Sequence, residues 1–219
     1  MLLLAIDTST SAITVAVRDD SGTRCAATVL DARGHTEHVT PLVERCLDEA
    51  GCTPADVTDV VVGTGPGPFT GLRVGIVTGL VFGHARGIPV HGVCSLDVLA
   101  AQARGLVQGD DLVVATDARR KEVYTARYAV EPAGVRRLTE PHVDRPADLP
   151  EDLRALPTAG RGPVLYPDLF PHAVDVLDVD AAVLAEVAAA RIAAGEPMPV
   201  EPLYLRRPDA LTTAERAQR

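Results

Sequence analysis

Asp7 closes an apolar run, Leu2-Leu3-Leu4-Ala5-Ile6, and three hydroxyl residues, Thr8, Ser9 and Thr10, follow it at once. A carboxylate at the C-terminal end of a buried strand can hold a magnesium-bound phosphate in an open α/β sheet. The same residues can also do no more than close a hairpin turn, and they lack the glycine that lets backbone amides approach a phosphate closely. A second candidate is the loop Gly63-Thr64-Gly65-Pro66-Gly67-Pro68-Phe69-Thr70, which runs into a helix start where free N–H groups and the helix dipole favour an anion. It contains no Lys and matches neither the P-loop nor the dinucleotide pattern, so a rigid strand-to-helix connection accounts for it equally well. The third is Asp117-Ala118-Arg119-Arg120-Lys121-Glu122, a compact charged turn that reads as a solvated hairpin or as a face for a nucleotide or a partner. Asp7, Thr8, Ser9, Gly65, Gly67 and Asp117 together make up the candidate nucleotide cleft, suited at most to weak ATP or ADP with magnesium.

Other chemistries find no support. His35 and His38 stand three apart in Gly-His-Thr-Glu-His, whereas a zincin needs two His four apart in H-E-x-x-H. They are expected at a surface or a helix entry, and no metal ligand set is nominated. There is no G-x-S-x-G elbow and no Cys beside an activating neighbour, so no catalytic residue is nominated either. Cys25, Cys46, Cys52 and Cys94 form neither a C-x-x-C pair nor a zinc-finger spacing, and four free thiols suit a reducing cytosol.

The elements that would position these residues follow from periodicity. Strands are expected at 2–6, 12–17 and 23–30, a three-stranded meander, and at 60–63 and from 89 on either side of a helix at 71–86; strand, crossover helix, strand marks a parallel sheet. A helix begins by about Thr40, with Pro41 in a first-turn position, or near Thr36 with Pro41 kinking it. Its apolar face is Val39, Leu42, Val43, Cys46, Leu47 and Ala50, and Gly51 stops it. Ser95 is placed as the cap of a helix at 96–104, and Asp180 and Gly195 bracket an alanine-rich helix at 181–194. Residues 112–117, Leu-Val-Val-Ala-Thr-Asp, repeat the pattern of 2–7 at an offset of 110 and again lead into a polar turn and a β-branched run. Two related lobes are therefore expected, 1–106 and 107–219, the second poorer in clear elements. Residues 131–170 should hold short strands and surface loops, and the tail after Arg207 should fray.

Along the 71–86 helix and its end, Gly71, Gly75, Gly79, Gly83 and Gly87 recur every fourth residue and line up as one bare ridge. Each interior glycine costs a helix roughly 0.5–1 kcal/mol relative to alanine, so something must pack closely on the ridge. That is either the chain's own sheet or another protein.

The composition narrows the partners. A net charge of −9 and 3% aromatics argue against unaided binding of nucleic acid, which needs clustered cations and rings for stacking. The apolar start ends at Asp7, too soon for a signal peptide, and no later apolar run is long enough to span a membrane. A cytoplasmic globular protein is expected.

The stretches LAIDTSTSAITVAV, GHTEHVTPLVERCL, GTGPGPFTGLRVGI, DARRKEVY and PLYLR resemble the TsaB family, also called YeaZ, over residues 3–206. The similar TsaD family carries an H-x-x-x-H metal pair that this chain lacks. The resemblance implies an α/β, actin/Hsp70-like (ASKHA) fold of two duplicated lobes, with mixed sheets, a three-stranded meander and crossover helices. It also implies a part in making N6-threonylcarbamoyladenosine beside the tRNA anticodon. In that pathway TsaC makes threonylcarbamoyl-adenylate, TsaD transfers the group, TsaE is an ATPase, and TsaB is the non-catalytic partner that binds and activates TsaD. TsaD is then the main partner, with TsaE in a larger complex, tRNA met only through that complex, and a homodimer possible for the chain alone. Pairing in the family uses two helices, here 36–50 and 71–86, which nominates Val39, Leu42, Val43, Cys46, Gly71, Arg73, Gly75, Ile76, Gly79 and Phe82 as partner-binding residues. The glycine ridge is the favoured contact; the competing face is Leu72, Ile76, Leu80 and Phe82. The rival functions are a self-sufficient nucleotide-binding phosphotransferase or ATPase using Asp7 and Asp117, and a peptidase for which no ligand or nucleophile is present.

Overall fold

The computed structural model describes residues 1–31 and 34–206. The expected fraying after Arg207 concerns residues outside the described ones.

The first sheet has the order β3-β2-β1-β4-β5, from β1 (Leu3–Asp7), β2 (Ala12–Asp19), β3 (Gly22–Leu30), β4 (Asp59–Gly63) and β5 (Val90–Val93). β1 is its centre, antiparallel to β2 and parallel to β4, so every one of its residues is buried. Alternation divides the strands between two cores. Leu4, Ile6, Ile13, Val15, Val60 and Val62 face one side, and Leu3, Ala5, Ala16 and Val61 the other.

On the first side lie α1 (His35–Glu49) and α2 (Phe69–Arg86). Of the two starts expected for α1, the one near Thr36 holds and the one near Thr40 does not: the helix begins at His35 with Pro41 inside it, because Val39 already belongs to the buried stripe. On the other side lies α6 (Ala181–Ala194), with Asp180 Oδ1 accepting from Ala182 N at 2.8 Å and Gly195 in the left-handed region at its end. Its Ala181, Ala185 and Ala188 are fully buried in the core that holds Ala5 and Ala16, so small side chains on both surfaces allow close packing.

The second sheet repeats the first in reduced form, with order β10-β6-β7-β8 and β9 beside β7. Its strands are β6 (Asp111–Asp117), β7 (Val123–Glu131), β8 (Gly134–Arg137), β9 (His142–Asp144) and β10 (Thr158–Ala159). β6 pairs antiparallel with β7 and parallel with β10, as β1 does with β2 and β4. Residues 131–170, expected to hold short strands and loops, carry the short strands β8, β9 and β10 and also two short helices, α4 (Glu151–Arg154) and α5 (Gly162–Leu165). This duplicated arrangement of mixed sheets is the actin/Hsp70-like fold. A division between 106 and 107 leaves one sheet in each half, yet α3 (Ser95–Ala103) packs on the second sheet and α6 on the first. One continuous core therefore runs from Leu3 and Val61 through Leu96, Leu99 and Leu184 to Leu112 and Tyr128.

Candidate functional site

Asp7 is 1% exposed and its carboxylate is fully engaged. Oδ1 accepts from Ser9 N and Ser9 Oγ, both at 2.7 Å, and Oδ2 accepts from Ser95 Oγ at 2.6 Å. Ser95 is thus not a cap. It is the first residue of α3, and its hydroxyl serves Asp7 while accepting from Gly65 N at 3.1 Å. Gly63 makes room for this contact, since a Cβ there would lie 1.6 Å from Asp7 Oδ2. Burial pushes the Asp7 pKa up from the ordinary value, against the hydrogen bonds from Ser95 and Ser9 that pull it down.

Thr8 is tied to α2. Its hydroxyl donates to Gly71 O at 2.7 Å and accepts from Gly75 N at 2.9 Å, so it stands inside the i to i+4 ladder of the helix. A Cβ at Gly75 would fall 2.5 Å from Thr8 Oγ1, and one at Gly67 2.3 Å from Ser9 O. The hydroxyl turn and the glycine loop, each nominated to face a nucleotide, cover one another. What remains between the two sheets is a cavity of about 20 Å³, bordered by Ser9, Thr10 and His35 on one side and Thr116, Asp117, Arg119 and Arg161 on the other. That is room for about one water, whereas a small-molecule site takes some 300–1,000 Å³. Asp117 is also occupied, accepting from Arg119 N at 2.7 Å and pairing with Arg119 Nη1 at 3.0 Å. The residues present do not fit a magnesium-bound nucleotide.

The histidines separate. His35 stands at the entry of α1, one of its two expected placements, and is buried there with Nε2 3.4 Å from Thr10 O, where α1 seats on the hydroxyl turn. His38 faces Asp31 at 3.3 Å. Among the described residues no group of three or more His, Cys, Asp or Glu is gathered to hold a metal, and no helix is long and apolar enough to cross a membrane.

The glycine ridge faces inward. A Cβ at Gly71 would lie 3.0 Å from Thr8 O, one at Gly79 2.3 Å from Val62 Cγ1, and one at Gly83 2.2 Å from Val90 Cγ2. The expectation that the ridge is open to a partner is corrected: its close neighbour is the chain's own sheet. Leu42, Val43, Cys46 and Ile76 are buried in the same core, with Cys46 Sγ 3.2 Å from Cys25 Sγ, and Leu72 of the competing face is buried as well. Phe82 is half-buried against that core, Val39 lines the floor of a surface groove, and Arg73 is exposed.

The outward surface of α2 is Phe69, Arg73, Val77, Leu80 and Val81, all exposed. At about 100° per residue, the series 69, 73, 77, 81 is offset by two residues, about 200°, from the glycine series. Arg73 and Leu80 were nominated from the sequence; for Phe69, Val77 and Val81, which sequence reasoning missed, that offset was the available signal. A groove of about 450 Å³ runs between α1 and α2, past Thr36, Val39, Thr40, Val74 and Thr78. At its end Arg73 stacks 3.6 Å over the Phe69 ring and donates from Nε to Tyr204 Oη at 2.9 Å, with the two rings 5.1 Å apart. Tyr204 arrives on a C-terminal strap held by Leu203 N donating to Thr64 O at 2.9 Å.

An actin/Hsp70-like fold with a closed cleft and an uncovered apolar helix face defines the class, and comparison with known proteins defines the family. The family profile described as "TsaD: tRNA N6-adenosine threonylcarbamoyltransferase" matches residues 29–167. Over 210 residues the chain is 44% identical to the uncharacterized protein Rv3421c of Mycobacterium tuberculosis, covering 95% of this chain and 93% of that one. It is 34% identical over 230 residues to the tRNA threonylcarbamoyladenosine biosynthesis protein TsaB of Escherichia coli, covering 94% and 95%. A solved structure of YeaZ from Pseudomonas aeruginosa superposes with a TM-score of 0.81 at 30% identity, covering 93% of this chain and 99% of that one. The chain belongs to the TsaB (YeaZ) family.

Proposed function

We propose that this chain is the non-catalytic subunit that binds and activates the TsaD transferase in the cytoplasm, for transfer of threonylcarbamoyl to tRNA adenosine. The observation that carries the reading is the outward face of α2, where Phe69, Val77, Leu80 and Val81 stand exposed beside the α1–α2 groove. Contiguous exposed apolar residues rimmed by polar ones mark protein contact sites. Arg73 and Tyr204 at the end of the groove are residue types that concentrate binding energy. Support also comes from Asp7, Thr8 and Ser9, which are consumed in holding the chain's own α2 and α3. The name of the Escherichia coli relative places that protein in tRNA threonylcarbamoyladenosine biosynthesis.

In this reading TsaE joins the larger complex, tRNA is engaged only there, and two copies of the chain pair through the same face when TsaD is absent. Reconstitution with TsaD, TsaE, tRNA and threonylcarbamoyl-adenylate tests it. Product should require this chain together with TsaD, and Val77→Glu with Val81→Glu should abolish co-purification without unfolding the chain. Transfer by the chain alone, or equal product in its absence, would end the proposal.

A further inference from the structure

The C-terminal strap is anchored at three places. Met198 O accepts from Gly92 N at 3.0 Å on the edge strand β5, and Leu203 N donates to Thr64 O at 2.9 Å in the glycine loop. Gly92 lets the strap pass, since a Cβ there would lie 2.3 Å from Pro199 O. Beyond it Arg206 donates to Arg119 O at 3.2 Å and pairs with Glu122, in the turn between β6 and β7. Tyr204 is fixed between the last two anchors and set against α2.

The Tyr204 ring lies 5.1 Å from the Phe69 ring, and its hydroxyl accepts from Arg73 Nε at 2.9 Å. Arg73 in turn stacks 3.6 Å over Phe69. A guanidinium carries N–H donors on Nε and on both Nη atoms, so spending Nε on Tyr204 leaves the Nη pair. Such a pair grips a carboxylate in a planar fork. Among the described residues no carboxylate pairs with Arg73. Among those lining the α1–α2 groove it is the single charged side chain, set among threonines, valines and Phe69. A lone cation in an uncharged groove suits one anionic group, whereas a row of phosphates needs several cations. The apolar walls beside it suit the desolvated centre of a protein contact.

We infer that Arg73 recognises a carboxylate of TsaD at the end of the groove, and that the strap, through Tyr204, positions the guanidinium for it. The inference rests on the functional reading above and names the group that the partner must bring. Fixing a long side chain beforehand spares the cost of ordering it on binding.

The test is the affinity of the full chain for TsaD, with Arg73 replaced in turn by Lys, Gln and Glu, and Tyr204 by Phe. Arg73 and Tyr204 are exposed, so the melting temperatures should stay close to that of the native chain. Arg73→Gln should weaken pairing by at least roughly tenfold and remove much of its salt dependence. Arg73→Glu should be weaker still by roughly another tenfold, because it sets like charges together. Arg73→Lys, which keeps the charge and loses the fork, should fall between the native chain and Arg73→Gln. Tyr204→Phe keeps the ring and frees Nε, and should weaken pairing severalfold. Equal affinities for the Gln and Glu variants would overturn the carboxylate and leave Arg73 as packing. Native affinity in Tyr204→Phe would remove the strap from recognition. Intact TsaD pairing with weakened tRNA binding in the Gln variant would also overturn the inference and make Arg73 an RNA contact. Failure of the native chain itself to pair with TsaD would end the functional reading, and this inference with it.

Discussion

On one side of α2, glycines at 71, 75, 79 and 83 admit Thr8, Val62 and Val90 to within contact of the helix backbone. On the other, Phe69, Arg73, Val77 and Val81 leave apolar surface in water. The inward face carries its small residues because Thr8 and strands β4 and β5 approach so closely that a Cβ would press on them, most severely at Gly75, Gly79 and Gly83. The outward face meets no such limit within the chain. A stripe of small residues can therefore record an intramolecular approach as readily as an intermolecular one, and the bulky residues opposite locate the free surface.

Substitutions break that comparison in graded steps. Gly79→Leu places a side chain where even a Cβ would lie 2.3 Å from Val62, and should leave no cooperative unfolding transition by circular dichroism. Thr8→Val removes the hydroxyl from the α2 ladder and leaves Gly75 N and Gly71 O without their partner, at a cost of about 1–3 kcal/mol by denaturant titration. The Asp7 carboxyl offers a subtler probe. Its folded pKa lies above the ordinary 3.8, so its contribution is fully present below about that pH and is lost as pH rises through the folded value. Asp7→Asn should flatten the decline of stability across that window, and an unaltered profile would contradict the burial described. Val81→Ser, on the free face, should change stability by less than about 0.5 kcal/mol while weakening co-purification with TsaD.

Much of this architecture is written locally. The meander, the crossover unit and the Asp180 and Gly195 brackets of α6 follow from period-two alternation and end signals within a few residues of each other. β10 escaped because two residues paired to β6 leave no pattern to read. Ser95 was legible as a helix-starting residue but not as the partner of Asp7, 88 positions away, and that contact decides whether the carboxylate is free for a ligand. The direction of the glycine ridge was hidden for a similar reason, since periodicity gives a stripe but not what lies opposite it. The clamp on Arg119 and Glu122 by Arg206 likewise joins residues that only the fold brings together.

α3 and α6 are exchanged between the halves, each packed on the sheet encoded by the other. Neither half is then a transplantable module: expressed alone, the N-terminal portion would lack the alanine-lined helix that seals β1 and β2, and the C-terminal portion would lack Leu96 and Leu99. Synthesis of the N-terminal sheet on the ribosome thus ends with one flank unsealed until residues 181–194 emerge.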